Sequence, residues 1–370
     1  EIFTRPPAFV LGSGLPMEWV ETTGTVAIAK WDRMLVLSPS NMRRGYPWMD
    51  TLAHEYTHLA LSRASRNRAP IWFQEGTAKV LESAWRSGDR DAWLDPQAES
   101  LLAAGLAEDR LIPFSKMHPS MAALPSSRDA AQAFAQVAFA VSWLLSEAGD
   151  AGYRRIVQAT GLHGDVMRAI DQVLGPMGGA FEGKVLRQMQ ARRFTLRVPP
   201  SVLFSMEIKE GSAKAQDDDA KELDPVLKAD RLMQDRTRVG DLLRLRGNNA
   251  AAVLEYERAE GVSSVHSPAL ANKQARALRA LGRVEEATGR LRASVSVQPE
   301  YTPTVALLAE LLSQDGADRE ARDIAKLAIA LNPYDPAVHR ALRDSCRRLS
   351  DAPCAAREER VLGLLGDSSP

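Results

Sequence analysis

The chain has 370 residues, enough for two domains, and with 45% apolar and 25% charged residues it has the balance of an ordinary globular protein. Its 47 Lys and Arg residues equal its 47 Asp and Glu residues, so no charge excess points to nucleic acid or an anionic membrane as a partner. The longest apolar run, near Phe134 to Leu145, is broken by Gln136 and Ser142; it is too short for a membrane span and reads as a buried helix.

Short strand signals come first along the chain. Val26-Ala27-Ile28-Ala29 and Met34-Leu35-Val36-Leu37 are separated by the mostly polar run Lys30 to Arg33. A helix is expected from Thr51 with Asp50 as its N-cap, and a second with Pro70 in its first turn, ending near Ser83. Further helices are expected over roughly 129–147, 151–159, 165–173 and 181–192. Residues 207–224 have no apolar periodicity and carry Gly211, Ser212 and the triplet Asp217-Asp218-Asp219, which reads as a hydrated linker. All seven tryptophans lie at or before Trp143, so the composition changes across that linker. The chain opens at Glu1 rather than at a methionine, so the lack of a visible leader says little about location.

The second half repeats. Gly240, Ala275 and Ala309 recur at intervals of 35 and 34, and Ala252, Ala287, Ala321 and Ala355 follow at 35, 34 and 34. Pro299 and Pro333 close two successive units. Small residues at fixed offsets let paired antiparallel helices pack closely, and proline ends the second helix of each pair. The pattern resembles the tetratricopeptide repeat (TPR) family. It divides into four units starting near Met233, Pro268, Thr302 and Pro336, the last degenerate because Arg343 stands where a small residue is expected. The resemblance implies a concave groove lined by Asp241, Arg244, Asn272, Arg276, Arg279 and Glu310, with Arg244, Arg276 and Arg279 suited to carboxylates of a protein or peptide partner. The two cysteines, Cys346 and Cys354, read either as small core residues or as one disulfide, which would need an oxidising compartment.

Chemistry concentrates at His54-Glu55-Tyr56-Thr57-His58. Helical residues four apart share a face, so both imidazoles reach one Zn²⁺, and Glu55 lies close enough to take a proton from its water. Glu75 follows on the next expected helix within Trp72-Phe73-Gln74-Glu75-Gly76-Thr77-Ala78, and Gly76 would let those two helices approach closely. This segment resembles those of aminopeptidase-N-like gluzincins and bacterial peptidase MA-like proteins, in which the glutamate before the glycine binds zinc. That likeness implies His54, His58 and Glu75 as ligands and Glu55 as the catalytic base. Glu82, two helical turns beyond Glu75, is a candidate partner for the free N–H of a ligand histidine. Thermolysin-like members have an aspartate where Lys79 stands. The oxyanion-stabilising Tyr or His of such enzymes has no motif here; Tyr153, His118 and His163 are available. Gly14 to Glu18 only faintly matches the amine-holding motif of aminopeptidases, which favours endopeptidase action or another specificity over aminopeptidase action.

The expected architecture is therefore an α+β zincin-like domain over 1–206, a linker over 207–224 and an all-α TPR solenoid over 225–370. The expected activity is zinc-dependent peptide hydrolysis, with the repeats recruiting a protein partner or substrate. The alternative is a catalytically weak or inactive metal-binding peptidase fold, serving as a TPR interaction scaffold. Chains of this kind are often bacterial and extracytoplasmic, an expectation by analogy of fold, with a cytoplasmic site still open.

Overall fold

The computed structural model describes residues 1–15, 25–41, 45–87, 93–117, 120–121, 124–177, 180–196, 230–263 and 265–367. The expected linker, residues 207–224, lies outside them. The chain forms two compact units, Glu1–Ser38 with Met49–Met206, and Pro39–Trp48 with Glu207–Pro370.

The first unit is mostly helical with one small sheet. Strand β1 (Ile2–Phe3) pairs parallel to β3 (Arg33–Leu37), which pairs antiparallel to β2 (Ala27–Lys30), giving the order β1-β3-β2. Trp31 and Asp32 form the two-residue turn between β2 and β3, both at positive φ (53° and 55°), the backbone of a type I′ hairpin. Helix α1 (Pro6–Ser13) follows β1, and its Phe9 packs with Leu35 and Leu37 of β3 in a small separate core. No sequence-based expectation covers α1.

Helix α2 (Trp48–Ala64) carries the histidine pentad and α3 (Ile71–Leu81) carries Glu75. Asp50 does not cap α2. The helix begins two residues earlier, and Asp50 lies buried in its first turn, accepting a hydrogen bond from Trp85 Nε1 at 2.8 Å. Helix α4 (Pro96–Ala107) has Asp95 as its N-cap, accepting from the Gln97 and Ala98 N–H groups, with Pro96 opening its first turn. Helix α5 (Ser127–His163) breaks at Gly149, whose φ of 63° is left-handed, so two expected helices run on as one kinked element. Helices α6 (Val166–Leu174) and α7 (Phe181–Ala191) complete the unit.

Gly76 does hold two helices close, but the partner is not the one expected. A Cβ there would collide with the Val137 carbonyl and the Val141 side chain of α5, not with α2. Helix α3 is thus clamped onto the long central helix. Trp72 stacks on Phe114 with ring centroids 4.8 Å apart, and Phe73 stacks on Tyr153 at 5.4 Å.

The described residues of the second unit form a run of four helical hairpins: α8 (Arg231–Leu245) with α9 (Asn249–Glu260), α10 (Pro268–Ala280) with α11 (Val284–Val297), α12 (Thr302–Gln314) with α13 (Asp318–Leu331), and α14 (Pro336–Arg348) with α15 (Ala352–Leu364). The small residues do the packing. Ala275, Ala309, Ala252, Ala287 and Ala321 are fully buried, and a Cβ on Gly240 would strike the ring of Tyr256. Cys346 and Cys354 form a disulfide joining α14 to α15. Segment Pro39–Trp48 belongs to this unit, although the expected boundaries place it with the first. The Tyr46 N–H donates to the Leu331 carbonyl at 2.9 Å, and Gly45 (φ 69°) lies too close to Leu331 and Asn332 for any side chain. No described helix is long and apolar enough to cross a membrane.

Candidate metal centre

Helical spacing and the clamped α3 bring three ligand-type atoms together. His54 Nε2 stands 3.1 Å from His58 Nε2 and 3.3 Å from Glu75 Oε2, and His58 Nε2 stands 3.4 Å from the same oxygen. Tetrahedral N and O ligands about 2.0–2.1 Å from a zinc ion stand about 3.3 Å apart, so the donor triangle has the size and chemistry that zinc takes. Among the described residues, the other cluster of metal-ligand residue types pairs Asp351 with the two cysteines, which are committed to their disulfide.

The other nitrogen of His54 is engaged separately. Its Nδ1 lies 3.0 Å from Glu82 Oε2, an arrangement that, with a metal cation in the triangle, would hold the ring hydrogen on Nδ1 and turn the Nε2 lone pair to the cation. Lys79 holds the second oxygen of Glu82. Lys79 therefore acts as the counter-ion of Glu82, in the place where thermolysin-like enzymes have an acid.

The electrostatics favour positive charge in the triangle. Burial opposes a charge on His54, but hydrogen bonds to Glu75 and Glu82 outweigh it and push its pKa up to about 10. Burial likewise opposes ionisation of Glu75, and hydrogen bonds to His54 and His58 overcome it, holding its pKa down to about 2. For Glu82, burial is again overcome, first by Lys79 and then by His54. Glu55 differs: burial pushes its pKa up despite the pull of His54 and His58. A carboxyl held up in this way can both accept and return a proton.

The triangle opens into a cleft of 580 Å³ whose lining includes Glu55 and the whole of Thr25 to Ala29. Among the described residues, strand β2 is an edge of the sheet. In a two-residue hairpin the hydrogen-bonded pairs alternate, here Lys30–Arg33, Ile28–Leu35 and Val26–Leu37, so Ala27 and Ala29, opposite Val36 and Met34, turn their backbone groups away from β3. The Ala29 backbone is among the weaker influences on Glu55, lowering its pKa against burial.

None of the described residues considered for the oxyanion reaches this cleft. Tyr153 is buried against Thr77, and His163 is exposed and bonded to Gln172. His118, like Pro16 to Glu18, lies outside the described residues.

The residues expected in the repeat groove are only partly available. Asn272 is fully buried and accepts from Thr304 Oγ1, so it lines no open surface; it fixes α10 against α12. Asp241 accepts from Tyr256 and from the buried Lys273. Arg279 is exposed, and Arg244 and Arg276 are half-buried. Arg276 and Arg279 lie near the half-buried Glu310. Burial, then Asp335, push its pKa up against the pull of these arginines and Arg340.

No protein-family model and no curated protein matches the chain. Among solved structures, a thermophilic TPR protein of Thermus thermophilus aligns at 23% identity, covering 36% of this chain and 74% of that one. Its TM-score of 0.31 is too low to bear on either unit.

Proposed function

We propose that this chain is a zinc-dependent peptidase of gluzincin type, acting as an endopeptidase, with a zincin-like first unit and a repeat unit that holds a protein partner or substrate. The observation that carries the reading is the donor triangle of His54, His58 and Glu75, with Glu55 beside it in an open cleft. Zinc bound there supplies a Lewis acid and a water made acidic enough to attack at neutral pH.

The chain's own residues do the rest. Glu82 orients the His54 ring, and Lys79 orients Glu82. Glu55 takes the proton of the attacking water and returns it to the leaving amine nitrogen. The outward N–H and C=O groups of β2 bind an extended peptide as an added strand, which recognises backbone rather than sequence. The disulfide of the fourth hairpin suits an oxidising, extracytoplasmic compartment.

A second reading is a metal-binding interaction scaffold. It is favoured by one observation: among the described residues, the cleft lining contains no Tyr, Arg or Lys, and no His besides His54 and His58, to stabilise an oxyanion. One experiment separates the two. The zinc-loaded full chain should cleave denatured proteins, and Glu55→Gln should keep its zinc while losing about 10²–10⁴-fold in rate. Zinc binding without cleavage by the wild type would leave the scaffold.

A further inference from the structure

Beside His54 lies a second cavity, of 310 Å³, whose apolar wall is Trp93, with Ala98 and Leu101 of α4 and Ala131, Phe134, Ala135 and Ala138 of α5. It shares His54, Glu82, Ala131 and Phe134 with the cleft, so the two cavities adjoin at one edge of the candidate metal centre. Its volume lies at the low end of the roughly 300–1,000 Å³ typical of small-ligand sites, room for one large side chain rather than a length of chain. The space exists because four of the seven apolar wall residues are alanine.

We propose that this cavity is the specificity pocket of the peptidase, and that it takes a bulky apolar side chain, such as Phe, Leu or Met, from the residue beside the cleaved bond. The inference rests on the peptidase reading and adds a substrate class to it. The charged groups at the margin argue against a charged occupant, because each already has a partner. Lys79 is held by Glu82, Glu82 also holds His54 Nδ1, and Asp95 accepts the Gln97 and Ala98 N–H groups at 2.8 and 2.7 Å. A charged side chain would enter an apolar space with no open counter-ion, which is costly, whereas an apolar one gains by burial.

The test uses the zinc-loaded full chain and peptides that differ only in the residues flanking one cleavable bond. At one of those positions, Phe or Leu should exceed Ala in kcat/KM by about tenfold or more, within the range that pocket filling gives, and Asp and Lys should fall below Ala. Ala131→Leu narrows the cavity and should reduce the Phe-to-Ala ratio toward one. Phe134→Ala widens it and should move the preference toward larger side chains. The opposite directions keep a general loss of stability from imitating the result.

Binding supplies a second readout. N-acetyl-phenylalanine amide should bind the Glu55→Gln chain more tightly than N-acetyl-alanine amide, by ligand-observed NMR, and Ala131→Leu should remove the difference. Cleavage with no apolar preference, or with a preference that neither variant moves, would overturn the proposal. No cleavage by the wild type, but Ala131-dependent binding of the phenylalanine amide, would sink the peptidase reading and leave the pocket standing.

Discussion

The first unit and the repeat unit each bury a histidine against a glutamate, and the two arrangements end differently. On α14, His339 Nδ1 lies 2.6 Å from Glu358 Oε2, and its Nε2 lies 3.0 Å from the Pro333 carbonyl oxygen. Both neighbours are acceptors, so a ring protonated on both nitrogens satisfies everything around it. On α2, His54 Nδ1 meets Glu82 in the same way, but its Nε2 faces another imidazole nitrogen and the carboxylate of Glu75. A proton completes the first arrangement. The second brings three ligand-type atoms to one place, so that a metal cation can take the position a proton fills when no metal is bound.

That contrast can be broken from the repeat side first, where the expected effect is largest. The side chains of His339 and Glu358 are only 4% and 2% exposed, so removing one partner leaves a buried charge, and Glu358→Gln should cost about 3–5 kcal/mol of stability. Denaturant unfolding measures the loss, and zinc content should not change. The pair also has a pH window. Burial opposes the charge on His339, but Glu358 and the Pro333 carbonyl raise its pKa, so its contribution is complete below the unfolded value of about 6.5 and fades as pH rises through the raised folded value. Hydrogen bonds to His339 and Arg357 overcome burial and lower the pKa of Glu358, so its contribution is complete above the unfolded value and fades as pH falls through the lowered one. Wild-type stability minus that of Glu358→Gln should therefore shrink at both ends of the range. A difference that grew steadily with pH would contradict the pairing.

The same substitution at the metal side should act on affinity instead of folding. Glu82→Gln keeps the shape but removes the carboxylate that orients His54, and such outer partners typically contribute about 10–100-fold to metal affinity. Competition against a zinc chelator measures this. An unchanged zinc affinity would mean that Glu82 serves only to pair Lys79.

The two regions also differ in how far their sequences can be read, for a physical reason. Repeat helices pack on neighbours a fixed number of residues away, so small residues at 34-residue offsets mark them directly, and α10, α12 and α14 begin at Pro268, Thr302 and Pro336 as that spacing requires. Asn272 escapes such a reading because spacing gives the face of a helix but not what the next hairpin lays over it. In the first unit, His54, His58 and Glu75 are legible because two of them have four-residue spacing on one helix and the third lies on the next helix in sequence. The surroundings of the centre are not. Strand β2, helix α4 and the packing partner of Gly76 reach it from 20 to 80 residues away, and no local pattern encodes such pairings. The start of α4 does carry a signal, since Asp95-Pro96 is a helix-opening pair.

The smallest expected effect concerns a place where the repeat unit is not relaxed. The turn between the two helices of each hairpin needs a left-handed residue. In the first three it is Gly247, Gly282 and Gly316, with φ of 76°, 76° and 78°. In the fourth it is Ser350, at φ 58°, an exposed residue in the hairpin that also carries the disulfide. A left-handed conformation costs an L-residue about 1–2 kcal/mol, and glycine gives back about 0.5–1 kcal/mol through the greater freedom of its unfolded chain. Ser350→Gly should therefore stabilise the repeat unit by about 0.5–1 kcal/mol, and Gly316→Ser should destabilise it by a similar amount, both read from denaturant midpoints at constant slope. Neither should alter zinc binding, since both residues belong to the second unit and all the candidate ligands to the first. If Ser350→Gly destabilised the chain, the serine side chain would be making a contact that outweighs its backbone strain, and the fourth hairpin would differ from the others by more than a strained turn.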